Sequence, residues 1–447
     1  MTALPEAFRD RMQALLGEQF HLFLDTYRAE AVRALRVNTA KISVEQFVRS
    51  VDFSVTPIPY APDGFYFSEE KIGAHPLHHA GAFYVQDPSA MIPALCAPIP
   101  PDARVLDLCA APGGKSSQLA SALTDGGLLV SNEIMPARSK ILFQNLERQG
   151  FRNTVITSRR PDQLAEWYQS VFDVVLVDAP CSGEGMFRKY PFAQEEWSED
   201  NVRLCAARQR DILRSALICL KPGGTLIYST CTFSPEENEE IVRWLAEEHG
   251  MELCTVPQTI LDHTSDGLDL PQGRRFYPHI SPGEGQFAAV LRKPDGEAAP
   301  SFGYADSARP LTKAERSAVE NTLGEAVSLK DLPLCLYQNK VIVLPQKQFP
   351  LPPKAVSCGV TVGELRKNRL IPHHQFFMAY GTAFDNRLEL SLEDPRLDQY
   401  LHGLEISDDT VAGGWGVITV CGCPLGGFKA SGGRLKNHYP KGLRAAK

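Results

Sequence analysis

From Ala103 onward one pattern repeats: a short apolar run, a turn of small or polar residues, then a stretch with apolar positions three and four apart. The runs are "RVLDL", "GLLVSNE", "NTVITS", "FDVVLVDAP" and "GGTLIYSTC". The helical stretches are "SSQLASAL", "PARSKILFQNLERQG", ending at Gly150, "ARQRDILRSALICL" and "SPEENEEIVRWLAEEHG". Strands alternating with helices in this way predict an α/β fold with a doubly wound parallel sheet. "FYPHI" and "GQFAAVLRK" are expected as added edge strands. Before this region, "MTALPEAFRDRMQALLGEQF" reads as an amphipathic helix, and "ALRVNTAKISVEQFVRS" as a strand, a turn and a helix opened by Ser43. After it, "KPDGEAAPSFGYADSARP" has the composition of a linker. "CLYQNKVIVLP", "VSCGVTVGEL" and "WGVITVCGCPLGGFKA" then predict short strands of a small β-rich module. The expected domains are 1–95, 96–293, 294–360 and 361–447.

A length of 447 residues agrees with several domains, and 43% hydrophobic with 22% charged residues is ordinary for a globular chain. No uncharged apolar stretch approaches the length of a transmembrane helix, and the acids near the amino terminus argue against a signal peptide. Eleven cysteines, an odd number without paired spacing, point to free thiols in a reducing cytoplasm. The close pair Cys421 and Cys423 has no second Cys/His pair nearby, so no metal site is expected. A net charge of −7 does not advertise a nucleic-acid partner. Basic charge is nevertheless concentrated in "GGFKASGGRLKNHYPKGLRAAK", where Lys429, Arg434, Lys436, Lys441, Arg444 and Lys447 occur without an acid. Interleaved with glycines, Phe428 and Tyr439, these charges suit a phosphate backbone plus stacking; a solvated tail is the plainer alternative.

The loop in "VLDLCAAPGGKSSQLA" lies between a strand and a helix, where backbone approaches a ligand at the sheet's carboxyl edge. A phosphate-binding loop would need glycine where Cys109 stands, and the dinucleotide G-x-G-x-x-G spacing is absent. What remains is an S-adenosylmethionine loop, supported by Glu133, an acid placed after the next strand to hold ribose hydroxyls. Two further strands end in "DAPC" and "YSTC", so Asp178, Cys181 and Cys231 are expected over one crevice. Enzymes that methylate exocyclic amines carry an aromatic residue where Cys181 stands. A thiol there suits an atom that cannot attack a methyl group unaided, such as carbon 5 of a pyrimidine activated by a thiolate at carbon 6. Cys231 is the preferred nucleophile, because Ser234, Pro235 and Glu237 predict a capped helix start just beyond it. On their own, Cys109, Cys205 and Cys219 are read as small buried residues.

Taken together, "DLCAAPGGKSSQLA", "DAPCSGEGMFRK" and "YSTCTFSPEENEEIV" resemble the RNA cytosine-5 methyltransferases of the RsmB/RsmF and Nop2/Sun type. "LRVNT", "YVQDPSAM", "RFYPH", "GEGQF" and the ending "GFKASGGRLKNHYPKGLR" extend the resemblance over nearly the whole chain, closest to RsmF-type members. It implies a Rossmann-like methyltransferase domain, an amino-terminal RNA-binding lobe and a β-rich PUA-like RNA-binding domain. Cys109, Ala110, Ala111, Pro112, Gly113, Gly114, Lys115, Glu133 and Asp178 would line the S-adenosylmethionine site. Asp178 would also hydrogen-bond the cytosine ring, Cys231 attack carbon 6, Cys181 release the adduct, and Lys189 contact the flipped nucleotide. The family's adenine-side acid is replaced here by Arg160, which leaves its work to backbone amides or to Asp162. The implied substrate is 16S rRNA or the small ribosomal subunit, met by a monomer with no membrane attachment. A tRNA methyltransferase, a DNA cytosine methyltransferase with Cys181 as attacker, and a non-catalytic ribosome-assembly factor are the alternatives.

Overall fold

The computed structural model describes residues 4–190, 192–297, 308–345, 351, 354–367 and 369–444. Two helices, Glu6–Leu16 and Phe20–Thr26, lead into an antiparallel sheet of β1 (Ala34–Val37), β2 (Val55–Ile58), β3 (Ala61–Phe67) and β4 (Phe83–Val85), ordered β2-β3-β1-β4. Ser43 caps the helix Val44–Ser50 as expected, accepting from the Gln46 amide.

The parallel sheet comprises β5 (Arg104–Asp107), β6 (Leu128–Asn132), β7 (Thr154–Thr157), β8 (Phe172–Asp178) and β9 (Leu220–Thr230), in the order β7-β6-β5-β8-β9. Both of its faces are buried, which is why its strands are continuous apolar runs. Along β8, Val175 and Val177 join the core containing Ile212 and Leu213 of the helix Glu199–Cys219. Val174 and Leu176 join the opposite core, with Leu119 and Leu142. Each such side chain contributes about 1.5–3 kcal/mol on burial. The helix Pro136–Gln149 stops at Gly150, whose φ of 74° is the left-handed cap glycine tolerates. Chain order reverses between β5 and β8, so ligand chemistry belongs at the carboxyl ends of those two strands.

Four expectations need correction. β13 (Gln286–Arg292) is interior, paired with β9, with β12 (Leu270–Phe276) and, off the main path, with β10 (Glu252–Cys254), while β11 (Ser265–Gly267) extends the sheet beyond. "FYPHI" leaves the sheet after Phe276. The helix after Cys231 begins at Glu239: Ser234 accepts from the Glu237 amide, but the Glu237 carboxylate binds Ser182 across the site instead of closing a capping box. Third, the boundary at 360/361 falls inside the strand Val360–Arg366, which is paired on both edges within a five-stranded sheet running from Ala308–Pro310 to Arg369–Pro372. The expected linker lies partly outside the described residues, and Ala308–Pro310 at its end is a strand.

Finally, the basic ending folds into the strands Cys423–Ser431 and Arg434–Asn437 of a second five-stranded sheet. Phe428 and Tyr439 are buried in its core and offer no stacking surface. Lys447 lies outside the described residues. Among those residues no helix is long and apolar enough to cross a membrane.

Candidate active site

β5 delivers Asp107, and the turn after it ends at Gly113, whose φ of 113° opens the helix Gly114–Ala122. Asp107 is fully buried. Its Oδ2 accepts from Ser116 at 2.7 Å, its Oδ1 has no partner, and burial pushes its carboxyl up to about 7. Glu133, directly after β6, is also buried; its carboxylate accepts from the Met135 amide at 2.8 Å and lies 3.3 Å from Arg138. Arg138 also donates to the Ala111 carbonyl at 2.8 Å, tying the acid to the loop. A cleft of about 700 Å³ is lined by Cys109, Ala111, Glu133, Arg138, Asp178, Cys181 and Cys231. A smaller one of about 180 Å³, lined by Gln86, Asp87, Asp107, Ala110, Pro112, Gly114 and Lys115, shares Cys109, Ala111 and Asp178 with it. Arg160 and Asp162 pair with one another at the wall of the larger cleft.

β8 and β9 lie side by side, with Asp178 in register with Ser229. The chain leaves them through Cys181 and Cys231, whose sulfurs are 3.3 Å apart. Asp178 accepts three hydrogen bonds, from Lys115 Nζ (2.8 Å), Ser229 Oγ (2.7 Å) and Gln286 Nε2 (3.2 Å). Burial alone would lower the Lys115 ammonium, but Asp178 outweighs it and holds the group above its ordinary value. The neighbouring Cys231 sulfur, then burial, push the Cys181 thiol well above its ordinary value.

The two thiol-bearing loops are fastened to one another. The Gly185 amide donates to the Cys231 carbonyl at 2.9 Å, and a Cβ at Gly185 would come within 2.9 Å of that same oxygen. Ser182 donates from its amide and hydroxyl to the Glu237 carboxylate, which also accepts from Gln209 at 2.8 Å. Burial lifts Glu237 to about 7. Fully buried Glu184 accepts from Arg11, from Trp197 Nε1 at 2.8 Å and from the Phe233 amide at 3.1 Å. That carboxylate therefore joins the amino-terminal helix to both loops.

The structure thus brings Cys109–Lys115, Glu133, Asp178, Cys181 and Cys231 to one edge. Lys189 reaches it through Asp87, at 2.6 Å from Nζ to Oδ2. Sequence reading missed Asp87, Asp107, Arg138, Glu184, Ser229 and Gln286, and took Glu237 for a cap. Asp87, Asp107, Glu184 and Gln286 stand within the motifs that carry the resemblance, and Ser229 is two residues from Cys231; nothing local marks Arg138.

Models of three known protein families match stretches of the chain. Residues 94–292 match the model described as 16S rRNA methyltransferase RsmB/F, and residues 4–88 the N-terminal domain of 16S rRNA methyltransferase RsmF. Residues 387–445 match the methyltransferase RsmF PUA domain. Ribosomal RNA small subunit methyltransferase F of Cronobacter sakazakii is 34% identical over 98% of this chain and 96% of its own length. The chain belongs to the RsmB/F family. The Aliivibrio fischeri protein of the same description is 32% identical over 98% of this chain and 97% of its own. A crystallised methyltransferase homologue from Pyrococcus horikoshii is 30% identical with a TM-score of 0.58, covering 65% of this chain and 95% of that one. As an RsmB/F member the chain is an S-adenosylmethionine-dependent RNA methyltransferase with a Rossmann-like catalytic domain and a carboxyl-terminal PUA domain. The cofactor suits the acceptors present: the partnerless Asp107 Oδ1 matches an amino-acid ammonium, and the buried Glu133 carboxylate matches ribose hydroxyls.

Proposed function

We propose that the chain methylates carbon 5 of a cytidine in 16S rRNA of the small ribosomal subunit, through a covalent Cys231 adduct. The observation that carries this reading is the pair of thiols 3.3 Å apart beside the Lys115–Asp178 ion pair. When bound, S-adenosylmethionine supplies the electrophilic methyl group; Cys109 to Lys115, Glu133 and Asp178 would hold it. Cys231, as thiolate, bonds carbon 6, and the displaced π electrons make carbon 5 nucleophilic. Asp178 already accepts three hydrogen bonds and donates none, so its role toward the base is to receive the exocyclic amine. Lys115 is the cation that balances negative charge as it develops on the ring. Cys181, whose sulfur lies 3.3 Å from that of Cys231, gives up its proton to solvent and, as thiolate, takes the proton on carbon 5. The electrons of that C–H bond restore the double bond as sulfur leaves carbon 6. Lys189, held by Asp87, is assigned to the extruded nucleotide, and Arg160 with Asp162 to the adenine side.

The test is transfer of labelled methyl to naked small-subunit rRNA, assembled subunits and bulk tRNA, with the nucleosides identified after digestion. Label in 5-methylcytidine from rRNA is expected. Label only in tRNA replaces the substrate, and label in another nucleoside ends the reading.

A further inference from the structure

Exposed cations gather far from the thiols, in a cleft of about 880 Å³ that shares no residue with the catalytic one. It opens between the sheet that ends at Arg369–Pro372 and the carboxyl-terminal sheet, where Lys429 lies directly opposite Lys436. Exposed aromatic rings are placed differently. Among the described residues only two Phe, Tyr or Trp side chains are exposed, Tyr190 at 51% and Phe192 at 58%. They are neighbours, with ring centroids 5.9 Å apart, and they follow directly on Lys189 of the loop that begins at Cys181.

The segment 184–197 that carries the two rings is closed at its base. Glu184 begins it, and Trp197 at its end donates to that same carboxylate at 2.8 Å. Phe187 is the buried anchor, packed on Phe8, and Gln194 Nε2 donates to the Phe187 carbonyl at 2.9 Å. Compact loops held by their own side chains present fixed groups at their tips. This tip meets the catalytic edge: Lys189 donates to Asp87, which lines the smaller cleft with Lys115 and Asp178. At the foot, the Gly185 amide donates to the Cys231 carbonyl. Tyr190 and Phe192 are thus held in solvent by an anchored loop fastened to both thiol-bearing segments.

Glu195 and Glu196, both exposed, follow on the same loop. These acids repel a phosphate backbone, so RNA meets this surface through the uncharged face of a base. A base drawn out of its stack leaves its neighbour with a bare face. An aromatic ring replaces that lost stack whatever the base. The two ring planes lie 54° apart, so one ring can lie flat on a base while the other meets its edge.

We propose that Tyr190 and Phe192 form the stacking surface for the base next to the extruded one, holding the strand while the target turns toward the thiols. The proposal rests on the reading above, in which a base leaves its stack to reach Cys231. Such a contact is made equally before and during the chemical step. Its loss therefore weakens binding and raises KM, and leaves the rate at saturating RNA near the wild-type value.

The experiment measures binding of the full-length chain to small-subunit rRNA across a salt series, with no S-adenosylmethionine. Methyl transfer does not enter that readout, so a failure of the methylation reading shows separately. Tyr190→Ala with Phe192→Ala should weaken binding about 10-fold or more at every salt concentration, the worth of one stacked base. The slope of log affinity against log salt should stay at the wild-type value, because no phosphate contact is lost. Tyr190→Trp with Phe192→Trp should keep the wild-type affinity, which separates stacking from folding. Ile218→Ala removes a side chain exposed at 47% at the opposite edge of the sheet, where its carbonyl accepts from the Ser170 amide, and should change nothing. Ultraviolet crosslinking of the wild-type complex, read by mass spectrometry, should join Tyr190 or Phe192 to the nucleotide adjoining the methylated one. Wild-type affinity in the Ala pair overturns the proposal, as does a loss that comes with a shallower salt slope or a crosslink remote from the methylated nucleotide. A wild type that self-associates in sedimentation, with an Ala pair that is monomeric and binds RNA unchanged, gives the rings to a second copy and overturns it too.

Discussion

The catalytic edge and the carboxyl-terminal cleft treat charge in opposite ways. At the edge, ion pairs fix charged side chains: Lys115 on Asp178, Arg11 on Glu184, Arg188 on Glu284, and Arg275 on Glu239, the last pair fully buried with both bonds at 2.6 Å. At the cleft, Lys429 and Lys436 face one another with no acid between them. Buried, paired charges hold a fixed geometry in a low dielectric, which chemistry on one atom of a base requires. Exposed, unpaired charges adapt to a flexible polyanion and are screened by salt. Breaking an ion pair should therefore cost stability at the edge, whereas neutralising a charge should cost nothing at the cleft.

The largest effect falls on the thiols. Cys231→Ala should lower methyl transfer by at least about 10⁴-fold and leave no covalent product, as loss of a nucleophile does. Cys181→Ala should instead accumulate protein covalently held on RNA, visible as a slow band on a denaturing gel. If Cys181→Ala blocks the adduct while Cys231→Ala forms it, the two roles are exchanged.

Next comes Glu184→Ala, which strands Arg11 and leaves the Phe233 amide and the Trp197 indole without their acceptor. Urea unfolding should show a loss of about 3–5 kcal/mol. A loss below about 1 kcal/mol would mean that the amino-terminal helix is not anchored through this carboxylate.

Glu237→Gln tests the same edge through pH. The folded state holds this carboxyl at about 7, above its ordinary 4.5, so its stabilising contribution is full below about 4.5 and is lost as pH rises through 7. The wild type should lose on the order of 3 kcal/mol over that window from this one group, and the amide variant should not. Urea midpoints at pH 5 and pH 8 would then diverge in favour of the variant as pH rises; parallel midpoints would place the ionisation elsewhere.

The smallest effect is the contrasting one. Lys429→Gln with Lys436→Gln relieves a cross-strand repulsion and should raise stability by up to about 0.5 kcal/mol at low salt, with the gain vanishing as salt is added. A clear loss of stability would show that these lysines are part of the domain's own packing and end the contrast.

Much of the catalytic domain was legible in its residues. The continuous apolar run of β8, the turn chemistry around Gly113 and Gly150, and the placement of Asp178, Cys181 and Cys231 after apolar runs are local properties, and these three side chains line one cleft, as strand alternation predicted. Glu237 was read as a cap because the pattern from Ser234 to Glu237 fits one, yet a buried serine across the site competes for the same carboxylate. The basic ending suits a stacking surface because Phe428 and Tyr439 stand among cations, but an amphipathic strand also alternates: Phe428 turns into the core from Cys423–Ser431, and Tyr439 joins it from beyond the last strand.

The amino-acid sequence by itself determined the α/β class, the order of the strands along the chain, the cofactor loop and the two thiols at strand ends. Each of these is set by periodicity, turn residues and chemistry within a dozen positions. Tertiary structure alone decided the partners: Arg11 with Glu184 at a separation of 173 residues, Lys189 with Asp87 at 102, and Lys429 opposite Lys436 at the mouth of a cleft. Those pairings are fixed by how whole sheets pack, and the energy of a buried charge depends on what packing brings beside it.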